Sequence, residues 1–283
     1  MHLARLSLLA LVALLAMPAS GVARAADDAE SQRALIDAAL AKFVEEPAPA
    51  ARVFFLGFAG FGEERVFAEE VKLAAQNVAA RYGSAARTVL LINDRRDLTT
   101  WPLATHDNLR YALRELGKRM NAELDVLFLV LSSHGAPNAM IEVSNTGMEP
   151  VGLSPTGIEI LTREAGIRNR VIVVSACFSG AFVDPLANDD TIVLTAAAKS
   201  RASFGCSDER HLTYFGEAFF RDALPGAESL REAFEATRGA IRKRERQERV
   251  KASQPQAHFG AALEGRLAEI EASRRVAPNF PGM

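Results

Sequence analysis

The chain has 283 residues, a formal net charge of −2, 49% hydrophobic residues and 7% aromatic residues. A near-neutral chain with few aromatic residues lacks the strongly basic face of a general nucleic-acid binder, so nucleic acid is not an expected partner. The length suits one well-buried α/β domain. We expect residues 26–283 to form that domain, with a core at about 51–224 and a helical C-terminal segment at 227–283.

The first 25 residues have the layout of a secretory signal peptide. A short basic start precedes an apolar run at 6–17, and Ala23, Arg24 and Ala25 form a small-residue cleavage site. An uncleaved anchor is the alternative interpretation. The apolar run is short for a membrane span, and no later stretch is longer. We therefore expect an exported protein, periplasmic or secreted, with no stable membrane insertion. The oligomeric state stays open.

Apolar patterning predicts alternating helices and strands along the chain. In its first half, the pattern predicts helices at 31–44, 63–82 and 105–120 and strands at 53–56 and 88–92. In its second half, it predicts strands at 126–131, 140–143, 171–174 and 191–194 and helices at 154–166, 211–223 and 227–251. The main strands are apolar at successive positions, which is typical of parallel strands covered on both faces. The predicted fold class is α/β, a three-layer sandwich with a mostly parallel central sheet.

Two of these strands lead directly into residues that could perform nucleophilic catalysis. Strand 126–131 is followed by His134 and Gly135, and strand 171–174 is followed by Cys177 among small neighbours. Reactive groups of such sheets collect at the carboxyl ends of the strands. A catalytic cysteine needs a base and N–H donors for the oxyanion. The pattern predicts Cys177 as nucleophile and His134 as base, with Gly135 allowing close approach of a substrate. A buried core cysteine and a hydrogen-bonded loop histidine are the alternatives.

The remaining candidates for chemistry are weaker. Cys177 and Cys206 are the two cysteines of an exported chain, so a disulfide between them is an alternative to a reactive thiol. Acidic pairs occur at 63–64 and 189–190, but neither has a histidine or cysteine nearby at metal-ligand spacing. We therefore expect neither a metal site nor a cofactor.

The segments around both candidate catalytic residues resemble the legumain-type cysteine peptidases and, more distantly, the caspases. The resemblance lies in residues 127–135, 171–180, 195–209 and 214–217, and upstream in 57–65. It implies a caspase-like fold and a cysteine endopeptidase acting on peptides or proteins. The same family includes ligases and transamidases, so transfer remains an alternative to hydrolysis. A non-catalytic binding module of the same fold is a further alternative.

The resemblance also implies a substrate pocket. By alignment, Arg65, Ser203 and Glu217 match pocket residues of the family, and Ser175 stands where the family has a second acid. Glu63 stands where the family has an asparagine near the catalytic histidine. With Arg65 on the substrate carbonyl and Glu217 on its amide, the implied preference is cleavage after Asn, with Asp second. A surface ion pair between Arg65 and Glu217 is the alternative.

Overall fold

The computed structural model describes residues 20–44 and 51–276. Residues 1–19 of the predicted signal peptide lie outside this range, and its last residues begin the first helix. The helices are α1 (Ser20–Leu40), α2 (Arg65–Tyr82), α3 (His106–Gly117), α4 (Pro155–Glu164), α5 (Val183–Leu186), α6 (Tyr214–Gly216), α7 (Leu230–Glu248) and α8 (Ala261–Val276). The strands are β1 (Val53–Ala59), β2 (Thr88–Ile92), β3 (Val126–Ser132), β4 (Gly135–Ala136), β5 (Met140–Val143), β6 (Val151–Leu153), β7 (Asn169–Ser175), β8 (Thr191–Thr195) and β9 (Gln256–Phe259).

The central sheet has six strands in the order β2-β1-β3-β7-β8-β9. All neighbouring strands are parallel except β9, which pairs with β8 in the antiparallel direction. Strands β4, β5 and β6 form a separate antiparallel sheet after β3. The predicted α/β fold class, with a mostly parallel central sheet and helices on both faces, is therefore confirmed.

Burial on both faces explains why the parallel strands carry so few polar residues. All seven residues of β1, of β3 and of β7 are buried. Successive side chains point to opposite faces, so Phe55 and Phe128 pack with α2, α7 and α8, whereas Phe54 and Leu127 pack with α1, α3 and α4. Each such side chain contributes about 1.5–3 kcal/mol through its burial. The two hydrophobic layers hold the sheet that positions the site.

Helix starts follow the predicted capping signals. The side chain of Thr105 accepts from the N–H of Asn108 at the start of α3, and that of Ser154 accepts from the N–H of Gly157 at the start of α4. The helix predicted at 211–223 is instead the short α6 followed by a π-helical turn, Glu217–Ala223. Within residues 20–44 and 51–276, no helix is both long enough and apolar enough to cross a bilayer.

The C-terminal segment differs from the prediction in one element. It was expected to be helical throughout, but β9 forms at residues Gln256–Phe259 and completes the edge of the sheet. Every residue of β9 is at least partly exposed. Its side chains therefore carry little of the apolar pattern that identifies the buried strands.

Candidate active site

The carboxyl ends of β3 and β7 bring the three predicted catalytic residues to one place. The strands run in register up to their last residues, Ser132 beside Ser175, so His134 and Cys177 each follow two residues later. A Cβ at Gly135 would lie 1.9 Å from the carbonyl oxygen of Cys177. Only glycine permits this approach of the two loops. The sequence prediction that placed these residues together therefore matches their positions in the structure.

Cys177 lies on a tight turn that is fixed on both sides. The next residue, Phe178, has a left-handed backbone with φ of 58°, and its N–H donates to the carbonyl of Arg201 at 2.7 Å. A left-handed conformation costs a non-glycine residue about 1–2 kcal/mol. The side chain of Ser179 accepts from the N–H of Ala197 at 3.1 Å. Strain of this kind persists where the surroundings fix it, and it occurs often at functional sites.

Two donors from Ser203 surround the sulfur of Cys177. The N–H of Ser203 donates to Sγ at 3.2 Å, and its hydroxyl lies 3.6 Å from the same atom. The thiol can in turn donate to the carbonyl oxygen of Ser203 at 3.6 Å. Ser203, predicted to belong to the substrate pocket, is thus in direct contact with the candidate nucleophile.

The second cysteine has an environment that suppresses reactivity. Both cysteines are free thiols, so the disulfide considered from the sequence is not formed in this structure. Loss of solvation raises the pKa of Cys206 to about 12, and the nearby Cys177, Glu70 and Glu64 contribute in the same direction. Cys206 is therefore a neutral thiol at physiological pH, and neutral thiols are poor nucleophiles.

His134 is held by two aromatic rings and one carboxylate. Its ring makes edge contacts with Phe61 at 4.6 Å and Phe67 at 5.0 Å between ring centroids. Its Nε2 lies 3.1 Å from Oε2 of Glu64. That carboxylate oxygen accepts no aligned hydrogen bond from the described residues. When His134 carries the proton that it gives to a leaving group, Glu64 is the carboxylate that faces it.

The predicted orienting role of Glu63 needs correction. One carboxylate oxygen of Glu63 accepts from the hydroxyl of Thr146 at 3.1 Å, and the other pairs with Arg95 at 3.2 Å. Its carboxylate is therefore held by other partners, and the neighbouring Glu64 contacts the histidine instead.

Glu63 is the matched control for a substitution that tests the role of Glu64. We expect Glu64→Gln to lower kcat about tenfold, a part of the full general-acid contribution, because it removes the charge that stabilises the imidazolium. Glu63→Gln should change kcat less than twofold. Steady-state kinetics of the two variants make the comparison, and equal losses in both would contradict the assignment to Glu64.

Two backbone N–H groups beside the sulfur have no acceptor in the described part of the chain. The N–H of Glu142 donates to the carbonyl of His134, which makes Gly135 and Ile141 a non-hydrogen-bonded pair of the β4–β5 ladder. The N–H of Gly135 is therefore left out of that ladder. The N–H of Cys177 also donates to no acceptor among the described residues. Both groups are available to an oxyanion.

Arg65 is exposed at the first residue of α2, directly after Glu64. Its backbone N–H donates to Oδ1 of Asp208 at 3.0 Å, and this hydrogen bond is the main reason that the pKa of Asp208 lies below its usual range. Asp208 also binds Arg96 at 2.8 Å. Among the described residues, the guanidinium of Arg65 has no ion-pair partner, so the alternative of an Arg65–Glu217 pair is not found.

Glu217 and Ser175, the other predicted pocket residues, are occupied by protein partners. Glu217 pairs with Arg210, Arg221 and Arg244 at distances between 2.6 and 2.8 Å. Ser175 is buried and lies 3.2 Å from the hydroxyl of Thr213. Neither side chain is free to accept from a substrate amide. The prediction that Glu217 selects asparagine is therefore not supported by its contacts.

No group of three or more potential metal-ligating side chains occurs in the described ranges 20–44 and 51–276. The groups gathered at the site are instead a thiol, an imidazole and free backbone N–H donors. Together, on an open α/β sheet, they define a candidate active site for acyl transfer through a cysteine.

Comparison with known proteins gives the family. The model of the Peptidase C13 family, the legumain family, matches residues 113–265, which is more than half of the chain and includes His134 and Cys177. The chain therefore belongs to the Peptidase C13 family and is a legumain-like cysteine peptidase, as predicted from the sequence.

The other two comparisons add less. No curated protein matches the sequence. Among solved structures, the chain is similar to caspase-1 from Spodoptera frugiperda, with 10% identity over 77% of this chain and 92% of that chain and a TM-score of 0.47.

Proposed function

We propose that the protein is an endopeptidase in which Cys177 is the nucleophile and His134 the general acid and base. The observation that carries the proposal is the contact between the loops after β3 and β7, where Gly135 meets the carbonyl of Cys177. The substrates are peptides or proteins. No direct hydrogen bond joins Cys177 to His134 in the structure, and none is needed if the scissile amide lies between them.

The first half of the reaction forms a thioester. The thiolate of Cys177 attacks the carbonyl carbon, a C–S bond forms, and the π electrons move to the carbonyl oxygen. The N–H groups of Cys177 and Gly135 stabilise that oxyanion. As the oxyanion collapses, the C–N bond breaks and the imidazolium of His134 gives its proton to the leaving amine. The products are a free amine and an acyl-enzyme.

Water completes the reaction. His134, now neutral, takes a proton from a water molecule that attacks the thioester carbonyl. The C–S bond then breaks, the carboxylic acid leaves, and the Cys177 thiolate and the imidazolium are restored. If an amine takes the place of water, the same intermediate gives a new amide bond.

We propose that Arg65 selects the residue before the scissile bond. A guanidinium binds the side-chain carbonyl of Asn or the carboxylate of Asp. The ranking of Asn over Asp depended on Glu217, and three arginines already neutralise that carboxylate. Cleavage after both Asn and Asp is therefore the expected preference, and Ser203 forms the pocket wall beside the sulfur.

Arg65→Ala tests this pocket against a matched arginine. We expect it to lower kcat/KM for Asn and Asp peptides about 100-fold, since the charged hydrogen bonds to the substrate are lost. The control is Arg110, an exposed arginine on α3. Arg110→Ala should change kcat/KM less than twofold. Steady-state kinetics on peptides that differ only at this position make the measurement. A preference for Arg or Lys would contradict the pocket.

Incubation with a peptide library, followed by mass spectrometry, tests the function as a whole. It reports cleavage, ligation or inactivity, together with the residue preference.

Export is also a proposal, supported by the apolar run at 6–17 and the small residues up to Ala25. An exported form that begins at Ala26 would support it, and an intact N-terminus would contradict it.

A further inference from the structure

A buried carboxylate lies beneath the strand ends that carry the catalytic pair. Glu70 on α2 is completely buried. Its Oε1 accepts from the hydroxyl of Ser132 at 3.1 Å. Its Oε2 accepts from the N–H of Thr213 at 3.3 Å and also from the hydroxyl of Thr213. Both carboxyl oxygens of Glu70 are therefore held by hydrogen bonds from neighbouring segments of the chain.

Ser175 joins this carboxylate through Thr213. The hydroxyls of Ser175 and Thr213 lie 3.2 Å apart, and the N–H of Gly216 donates to the Thr213 oxygen at 2.9 Å. Thr213 has one hydroxyl proton, which it gives to Glu70. Its oxygen therefore accepts from Ser175 and from Gly216. Ser175, Thr213 and Glu70 thus form a chain of contacts from the end of β7 to the buried carboxyl group.

The fit around the carboxylate is close. A Cβ at Gly216 would lie 2.1 Å from Oε2 of Glu70, so glycine at the end of α6 allows this close approach. Burial raises the pKa of Glu70, and the hydrogen bonds from Thr213 and Ser132 oppose that rise only in part. A buried charge is costly, and apolar residues of similar volume often stabilise a core equally well. Stability alone therefore does not explain why an acidic residue occupies this position.

The three segments that Glu70 joins are the segments that form the site. Ser132 ends β3 two residues before His134, and Ser175 ends β7 two residues before Cys177. Thr213 begins α6 after the loop in which Ser203 donates to the nucleophile. Because Glu70 is completely buried, it cannot touch a substrate.

We infer that Glu70 is a positioning residue, the common acceptor that fixes the loops carrying His134 and Cys177 relative to each other. The inference rests on the proposed roles of those two residues. Thr213 is equally necessary for this positioning, because its hydroxyl connects Ser175 to the carboxyl group of Glu70.

Alkylation of Cys177 by iodoacetamide at neutral pH measures this positioning without a substrate. Glu70→Gln and Thr213→Val keep side-chain volume and remove the carboxyl group or the hydroxyl. Asp125→Asn is the matched control, because Asp125 is also buried and accepts from Arg52 and Asn121, but at the opposite end of β3. Peptide mapping follows Cys177 separately from Cys206, and thermal unfolding follows stability in all three variants.

We expect the alkylation rate to fall at least fivefold in Glu70→Gln and in Thr213→Val, towards the rate of His134→Ala. It should stay within twofold of the wild type in Asp125→Asn. Thr213→Val removes no ionisable group, so a fall in its rate reports lost positioning and not a change of charge near the sulfur. An unchanged or raised rate, or an equal fall in Asp125→Asn, overturns the inference. If Glu70→Gln does not fold, the alkylation rate of Cys177 in Thr213→Val tests the inference by itself. A wild-type protein that cleaves no peptide would refute the proposed function and leave this comparison intact.

Discussion

Cys177→Ser is expected to reduce peptide cleavage at least about 1,000-fold, the largest effect of any single substitution in this chain. A serine hydroxyl at this position would keep the geometry but lack the acidity that produces a thiolate. The measurement is the initial rate of cleavage of an Asn or Asp peptide, with the folded fraction checked by circular dichroism.

Cys206→Ser is the matched control for that substitution. Cys206 is the other free thiol, and its pKa of about 12 keeps it protonated. Its replacement should change the cleavage rate less than threefold. Limiting iodoacetamide should correspondingly label Cys177 first and abolish activity in step with labelling. Equal losses in the two serine variants, or preferential labelling of Cys206, would contradict the assignment of the nucleophile.

His134→Ala is expected to lower kcat by a similar factor, about 1,000-fold. The nucleophile and its base act as a unit, so the double variant with Cys177→Ser should be no less active than either single variant. The folded state should persist, with a loss of about 1 kcal/mol in the free energy of unfolding, because the partly exposed ring contributes its edge contacts with Phe61 and Phe67 and its contact with Glu64.

His106→Ala and His211→Ala serve as controls for this result. His106 is the first residue of α3, and His211 is exposed before α6. Both variants should retain near-normal turnover. Normal turnover in His134→Ala, with a loss in one of the other two, would move the general base to that residue.

The fold and the placement of His134 near Cys177 could be predicted from the sequence because they depend on strong local signals. Residues 126–131 of β3 and 171–174 of β7 are all apolar, which is typical of a parallel sheet covered on both faces. His134 and Cys177 follow those strands directly, and parallel strands bring their carboxyl ends to one edge. Chain order and strand direction were sufficient to place them together.

The orienting and pocket residues depend on side-chain partners, and the sequence does not contain this information in a local form. Glu63 and Glu64 are adjacent acids, and only their partners in the structure distinguish them: Thr146 and Arg95 contact Glu63, and His134 contacts Glu64. Glu217 matched a family position, but Arg210 and Arg244 reach it from other segments. Alignment gave the residue types and could not give their contacts.

Glu70 shows the same limit most clearly. In the sequence it is one of two adjacent acids, Glu69 and Glu70, within a helix, and such pairs are usually solvated. In the structure, Glu69 pairs with Lys72 at the surface, whereas Glu70 is turned inward to the ends of β3 and β7. The apolar periodicity of α2 places position 70 on its inner face, beside Val66 and Phe67. The available signal in the sequence was therefore an acidic residue at a position of the helix that faces the core.

Mass spectrometry of the protein after rapid acid quench, during turnover of an Asn or Asp peptide, tests the central claim most directly. A thioester intermediate adds the mass of the acyl part of the substrate, and peptide mapping locates it. The proposed mechanism predicts this adduct on Cys177, its release by hydroxylamine, and its absence in Cys177→Ser. Cleavage without an adduct in the wild type and unchanged in Cys177→Ser, or an acyl group on another residue, would contradict the assignment of Cys177 as the nucleophile.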